Sequence, residues 1–155
     1  MRKFIQQKLK DQKGLTLIEL LAVIVILAII AAIAIPAIGN IIENSRVGAI
    51  KSDALNALAA ADLYFVDEND VTVDEVLISE LAVPATGSVT YLDDIGSLSS
   101  GANDVITRDG EITTTGTVGG VTITFDAATK SEVNELKNNA ADGANIASGA
   151  VTVER

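Results

Sequence analysis

One carboxylate, Glu19, lies near the start of an otherwise apolar run, Leu15–Ile38. A charged side chain inside a bilayer is costly, so it needs a partner or a role. If the chain is cut after Gly14, Leu15 gains an α-amine that is largely cationic at neutral pH. Helices lying side by side could then pair Glu19 of one copy with the Leu15 amine of another, which would fix their axial register. The alternative is that Glu19 lies near the lipid headgroups and reaches water.

Other chemistry has little support in the composition. The chain contains no His and no Cys, which removes the usual general base, thiolate chemistry, disulfides and most zinc sites. We therefore predict no enzyme activity, no cofactor and no metal centre. Five polar side chains over 67–75 could be taken as calcium ligands, but Val71 occupies a ligand position and no Gly supplies the turn of an EF-hand. The sequence favours a solvated acidic loop there and leaves calcium binding open.

Charge is distributed unevenly along the chain. The 155 residues include 11 Lys and Arg against 21 Asp and Glu. Residues 1–14 hold five bases and one acid, which sum to +4, and the remaining residues hold 6 bases and 20 acids, which sum to −14. Such an acidic body repels phosphates, so we expect no direct binding of nucleic acid.

The apolar run is long enough to cross a membrane as a helix. Its basic flank predicts that residues 1–14 stay in the cytoplasm and that the rest of the chain lies outside. A removed secretory signal peptide is the alternative, with Ala32–Ala34 as its cleavage site. The length of the run and the presence of Glu19 argue against that alternative.

The helical pattern continues beyond the run as an amphipathic segment. Apolar side chains recur at steps of three or four and predict one buried face: Val47, Ile50, Ala54, Leu58, Ala61 and Phe65. Polar side chains gather on the opposite side: Ser45, Ser52, Asp53 and Asn56. We predict one helix from Leu15 to Val66, with a possible bend at Pro36, lying partly against the domain that follows.

The rest of the chain is predicted to be mainly β-structure. We expect a short helix over Asp74–Leu81 and strands at Ser88–Leu92, Asp104–Thr107, Ile112–Val118 and Val121–Phe125. Gly119 and Gly120 suit a two-residue hairpin turn between the last two strands. Residues 130–138 are expected to be helix or loop, and residues 150–153 to be an edge strand.

The motif Lys13-Gly14-Leu15-Thr16-Leu17-Ile18-Glu19-Leu20 resembles the cleavage and methylation motif of type IV prepilins and pseudopilins. The resemblance covers about residues 2–65. It implies cleavage between Gly14 and Leu15, N-methylation of Leu15, a role for Thr16 and Glu19 in assembly and register, and a helix bend at Pro36. It further implies a prepilin peptidase, an assembly ATPase and a membrane platform protein as partners, and a helical homo-oligomeric fibre as the product.

The chain departs from the family pattern at three points. Leu15 replaces the commoner Phe, Ala28 stands where many major pilins have Gly, and the Cys pair of the familiar C-terminal disulfide loop is missing. These departures favour a Gram-positive-like system and make local melting of the helix around Pro36 less certain.

The predicted fold class is α+β, with a long N-terminal helix and a small antiparallel β-sheet head. The predicted domains are a cleaved leader (1–14), a transmembrane and fibre-core half of the helix (15–40), an amphipathic half (41–67) and a β-rich head (68–155). We expect a single-pass protein of the cytoplasmic membrane that becomes part of a surface fibre serving adhesion, motility or surface interaction. The alternatives are a competence or type II secretion pseudopilin, and a membrane-anchored ectodomain that never polymerises.

Overall fold

The computed structural model describes residues 16–68, 72–82, 89–146 and 149–155. Its elements in chain order are α1 (Leu17–Asp67), β1 (Glu75–Leu77), α2 (Ile78–Ala82), β2 (Val105–Thr107), β3 (Glu111–Val118), β4 (Val121–Thr129), α3 (Lys130–Glu135), β5 (Asn145–Ile146) and β6 (Val151–Glu154). The chain is α+β, with one long helix followed by a six-stranded antiparallel sheet, which confirms the predicted pilin-like architecture.

The described residues fall into two compact units, one ending at Asn40 and the other beginning at Ile41. In the first unit the side chains of α1 are exposed or half-buried, although nearly all of them are apolar. This part of α1 is long and apolar enough to cross a membrane, with a mean hydropathy of 3.2. The N-terminal helix thus fits a membrane-anchored precursor.

The second unit is a helix packed on one face of a sheet. The six residues predicted to form the buried face of α1 are all buried. They meet the inward side chains of the sheet, which alternate along the strands as a half-buried sheet requires: Val76, Ile106, Ile112, Val121, Ile123, Phe125, Val151 and Val153. The apolar periodicity of α1 therefore identified its packed face correctly.

The sheet has the strand order β1-β2-β3-β4-β6-β5. The predicted hairpin is confirmed: Val118 faces Val121, and Gly119 and Gly120 have φ of 53° and 94°. These positive values suit glycine, which has no Cβ to clash. Strand β6 was predicted at the edge, and that prediction was wrong, because β5 pairs with its outer side.

Two further predictions of local structure need correction. Residues 74–81 were expected to form one helix, but Glu75–Leu77 pair with β2 and only then does helix α2 begin. Residues 88–92 were expected to form a strand, but the described part, 89–92, is irregular. The backbone N–H groups of Tyr91 and Leu92 donate to the carbonyl of Leu81 instead of to a neighbouring strand.

Candidate functional site

The start of α1 is organised by reciprocal hydrogen bonds between Thr16 and Glu19. The Thr16 N–H and hydroxyl each donate to Glu19 Oε2 at 2.7 Å, and the Glu19 N–H contacts Thr16 Oγ1 at 3.3 Å. This is a capping box, in which a Thr before the helix and a Glu three residues later satisfy N–H groups that lack partners in the helix. Gly14 and Leu15, the predicted cleavage and methylation site, lie outside the described residues.

The head contains a second capping box of nearly identical geometry. Thr129 N–H and Oγ1 donate to Glu132 Oε2 at 2.7 and 2.8 Å, and the Glu132 N–H donates to Thr129 Oγ1 at 3.4 Å. These hydrogen bonds from Thr129 lower the pKa of Glu132 below its ordinary value. The Thr129–Glu132 pair therefore serves as an internal reference for what a capping box alone does in this chain.

Sequence reasoning treated Glu19 as a charge that either pairs with an amine or reaches water near the headgroups, and it missed the capping role. The signal was present, because Thr-x-x-Glu before an apolar run is a sequence signature of a helix start. Both hydrogen bonds from Thr16 use Oε2. Among the described residues, Oε1 has no hydrogen-bond partner, so it can accept a bond from a further donor while the cap stays in place.

Glu19 is the only charged residue from Thr16 to Ile42. The large apolar side chains over the same span are all exposed, from 46% for Ile42 to 85% for Leu17. Exposed apolar surface of this extent is stable only against lipid or against other protein. The arrangement can therefore anchor the chain or associate with further helices, and it offers no reactive group besides one carboxylate.

Pro36 lies inside α1, which continues on both sides of it. Proline lacks an N–H group and its ring crowds the preceding turn, so the helix is weakened there without being ended. A bend at Pro36 remains a prediction.

The amphipathic half of α1 is held to the head by basic side chains that bind backbone carbonyls. Arg46 Nη1 donates to the Gly119 carbonyl at 2.6 Å, and Lys51 Nζ donates to the carbonyls of Asn134 and Leu136 at 2.8 and 3.0 Å. These bonds give hydrogen-bond donors to backbone carbonyls of the β3–β4 hairpin turn and of the C-terminal end of α3. The cations of this segment thus have structural tasks.

Carboxylates in the head are also used structurally. Asp53 was predicted to lie on the polar side of α1, but it is half-buried and accepts bonds from Ser97 N–H and Oγ at 2.8 and 2.6 Å. Asp104 is buried and accepts a bond from Thr114 Oγ1 at 2.7 Å. No group of three potential metal-binding side chains occurs among the described residues, and Asn69 and Asp70 of the acidic loop lie outside them.

The comparison with family profiles gives one match. Residues 9–35 match the prokaryotic N-terminal methylation motif, which is the leader signature of type IV pilin and pseudopilin precursors. No curated protein and no solved structure matches the chain. The match lies within residues 2–65, where the resemblance was found, and it points to a structural protein of pilin type.

Proposed function

We propose that this chain is a structural subunit of a type IV pilus-like fibre, processed after Gly14 and assembled through its N-terminal helix. The observation that carries the proposal is the methylation motif at residues 9–35 joined to an exposed apolar helical surface that continues to Ile42 and whose only charge is Glu19. A prepilin peptidase would cut between Gly14 and Leu15 and methylate the new N-terminal amine of Leu15. The methylated amine would keep its positive charge.

The capping box supports a specific role for Glu19 in this assembly. In the membrane, the Glu19 carboxylate keeps its charge but accepts two hydrogen bonds from Thr16, which lowers the cost of keeping it in an apolar setting. Oε1 stays available for the Leu15 amine of a neighbouring copy. An incoming subunit that is out of register would leave that amine unpaired, which is costly when the site is buried.

The test is expression of the chain together with a prepilin peptidase, an assembly ATPase and a platform protein. Sheared surface material is examined by electron microscopy and immunoblotting, next to the membrane fraction. We expect fibres that contain the chain, and Gly14→Arg should leave uncut precursor in the membrane. If the chain is processed but stays entirely in the membrane, while a known pilin assembles in the same cells, it is an anchored ectodomain and the proposal is wrong.

A further inference from the structure

An open groove of about 580 Å³ lies beside the outer face of α1 in the head. One wall is the helix itself, and the other is the segment 90–96. Cavities of this size are typical of ligand sites. Nothing in the proposed assembly through the N-terminal helix uses this groove, so the inference below does not depend on that proposal.

The groove is held open because the segment beside it is attached to α1 at both ends. At one end, Tyr91 Oη donates to Asp67 Oδ2 at 3.0 Å. At the other end, Ser97 donates two hydrogen bonds to Asp53. Gly96 makes the second attachment possible, because its φ is +63° and a Cβ there would collide with the Asp53 carboxylate.

The residues of α1 that line the groove run from Asp53 to Leu63, ten positions along the helix. At 1.5 Å per residue this corresponds to a distance of about 15 Å. An extended peptide advances about 3.4 Å per residue, so about four to five residues would fill the groove and a hexapeptide would span it completely. Because the walls are already fixed, a ligand does not have to order them, which reduces the entropy cost of binding.

The floor of the groove is apolar and the rim is acidic. Leu63 lines it and keeps 60% of its surface exposed, next to Ala59 and Ala60. Asp53, Asp93 and Asp94 also line it, and none of the lining residues that the structure describes is a Lys or Arg. Neutral donors bind Asp53 and Asp94, so those hydrogen bonds leave their charges in place.

The net charge of the head favours a basic occupant of the groove over a second copy of the head. Residues 41–155 carry 19 acids and 6 bases, a net charge of −13. A second head in the groove would bring like charge against like charge, whereas a basic segment would be attracted and oriented by the rim.

We propose that this groove binds a short, extended segment of another protein in which apolar and basic residues alternate. Successive side chains of an extended chain point to opposite sides. The apolar side chains would lie on Leu63 and the alanines, and the long basic side chains would reach the carboxylates of the rim.

The test uses the full chain in nanodiscs of uncharged phosphatidylcholine, with empty nanodiscs as the blank. The probes are fluorescein-labelled hexapeptides of three kinds: alternating Lys and Leu, alternating Glu and Leu, and Lys alone. Fluorescence anisotropy should show saturable binding of the Lys/Leu peptide only. The double variant Asp93→Asn with Asp94→Asn, and the single variant Leu63→Ser, should each weaken that binding by about tenfold.

The matched control is Glu75→Gln with Asp109→Asn, which removes the same charge from side chains outside the groove. It should leave the affinity within about twofold of the original. Equal losses in the two double variants, or equal binding of the Lys/Leu and Lys-only peptides, would show unspecific attraction and overturn the proposal. Absence of peptide binding would also overturn it, as would self-association of the chain that Leu63→Ser abolishes, since the groove would then belong to a second copy.

Discussion

Gly116 controls how closely helix α1 approaches the sheet. It lies on the inward face of β3, opposite Ile123 on β4. A Cβ on Gly116 would collide with Cγ2 of Ile50. Ile50 lies on α1 and is completely buried. Glycine inside a strand weakens β-structure, so its presence here indicates a close approach of helix and sheet.

The substitution Gly116→Ala should destabilise the head because the added methyl has no space. Overpacking of a core by one methyl costs about 1–3 kcal/mol. Ala recovers about 0.5–1 kcal/mol of backbone entropy relative to Gly. Because Ile50 is buried and its Cγ2 branches directly from Cβ, that methyl cannot swing into solvent, and overpacking should win by about 1–2 kcal/mol.

The assay is urea unfolding of the full chain in detergent, followed by tyrosine fluorescence. Both tyrosines, Tyr64 and Tyr91, lie in the head, and the chain has no Trp, so the signal reports the head alone. With a urea dependence of about 1–3 kcal/mol per M, a loss of about 1–2 kcal/mol should lower the unfolding midpoint of Gly116→Ala by about 0.3–2 M.

A double-mutant cycle tests the stated cause. Ile50→Leu removes the branch at Cβ and should suppress most of the loss caused by Gly116→Ala. Ile50→Val keeps Cγ2 and is the matched control, which should suppress none of it. If Gly116→Ala and Ile50→Leu have additive effects, the collision is not the cause and the reasoning is refuted.

Three further predictions concern single side chains. Glu19→Gln keeps an acceptor for the capping box but lacks the charge, so fibre yield should fall as far as in Glu19→Ala, with processing intact; a normal yield from Gln would mean that capping is its whole role. Leu58→Asp buries an unpaired charge and should cost several kcal/mol in the same urea assay, whereas Leu63→Asp, at an exposed position, should cost little; equal effects would contradict the docking of α1. The folded pKa of Glu132 lies below its ordinary value of 4.5. The stabilisation of α3 by the Glu132 capping bonds should therefore be complete above pH 4.5 and should disappear as the pH falls through the folded pKa, which would be seen as a loss of amide-exchange protection in α3. Protection that does not change with pH would contradict this role.

The features that sequence alone predicted depend on local periodicity. The 3.6-residue pattern of α1 identified its buried face, because apolar residues three or four positions apart lie on the same side of a helix. The hairpin followed from alternation along β4 and from the two glycines between the strands. In both cases the deciding interactions lie within a few residues of each other.

The errors came from pairings between distant parts of the chain. Val76 fits a short helix or a strand equally well, and pairing with Ile106 decides for the strand. Strand β6 was placed at the edge because nothing local shows that β5 pairs with it. The contact of Asp53 with Ser97, 44 residues away, has no signature in either segment.

The methylation motif was recognised from the sequence, but the capping box within it was not. The order of residues in a short motif was enough to single out Gly14, Leu15 and Glu19. The capping box was missed because Glu19 was considered as a charge and not as an acceptor for the unpaired N–H groups at the start of the helix. The match at residues 9–35 confirms the motif, and the roles of the single residues remain predictions.

The most direct test of a processed, polymerising subunit is the intact mass of the chain recovered from sheared surface fibres. We expect a mass that corresponds to residues 15–155 with one added methyl group, and fragmentation should locate the methyl group on the amine of Leu15. An N-terminus near Ala34 or Pro36 would instead show removal of an ordinary signal peptide. Either that N-terminus or an uncut chain in the fibres would contradict the account.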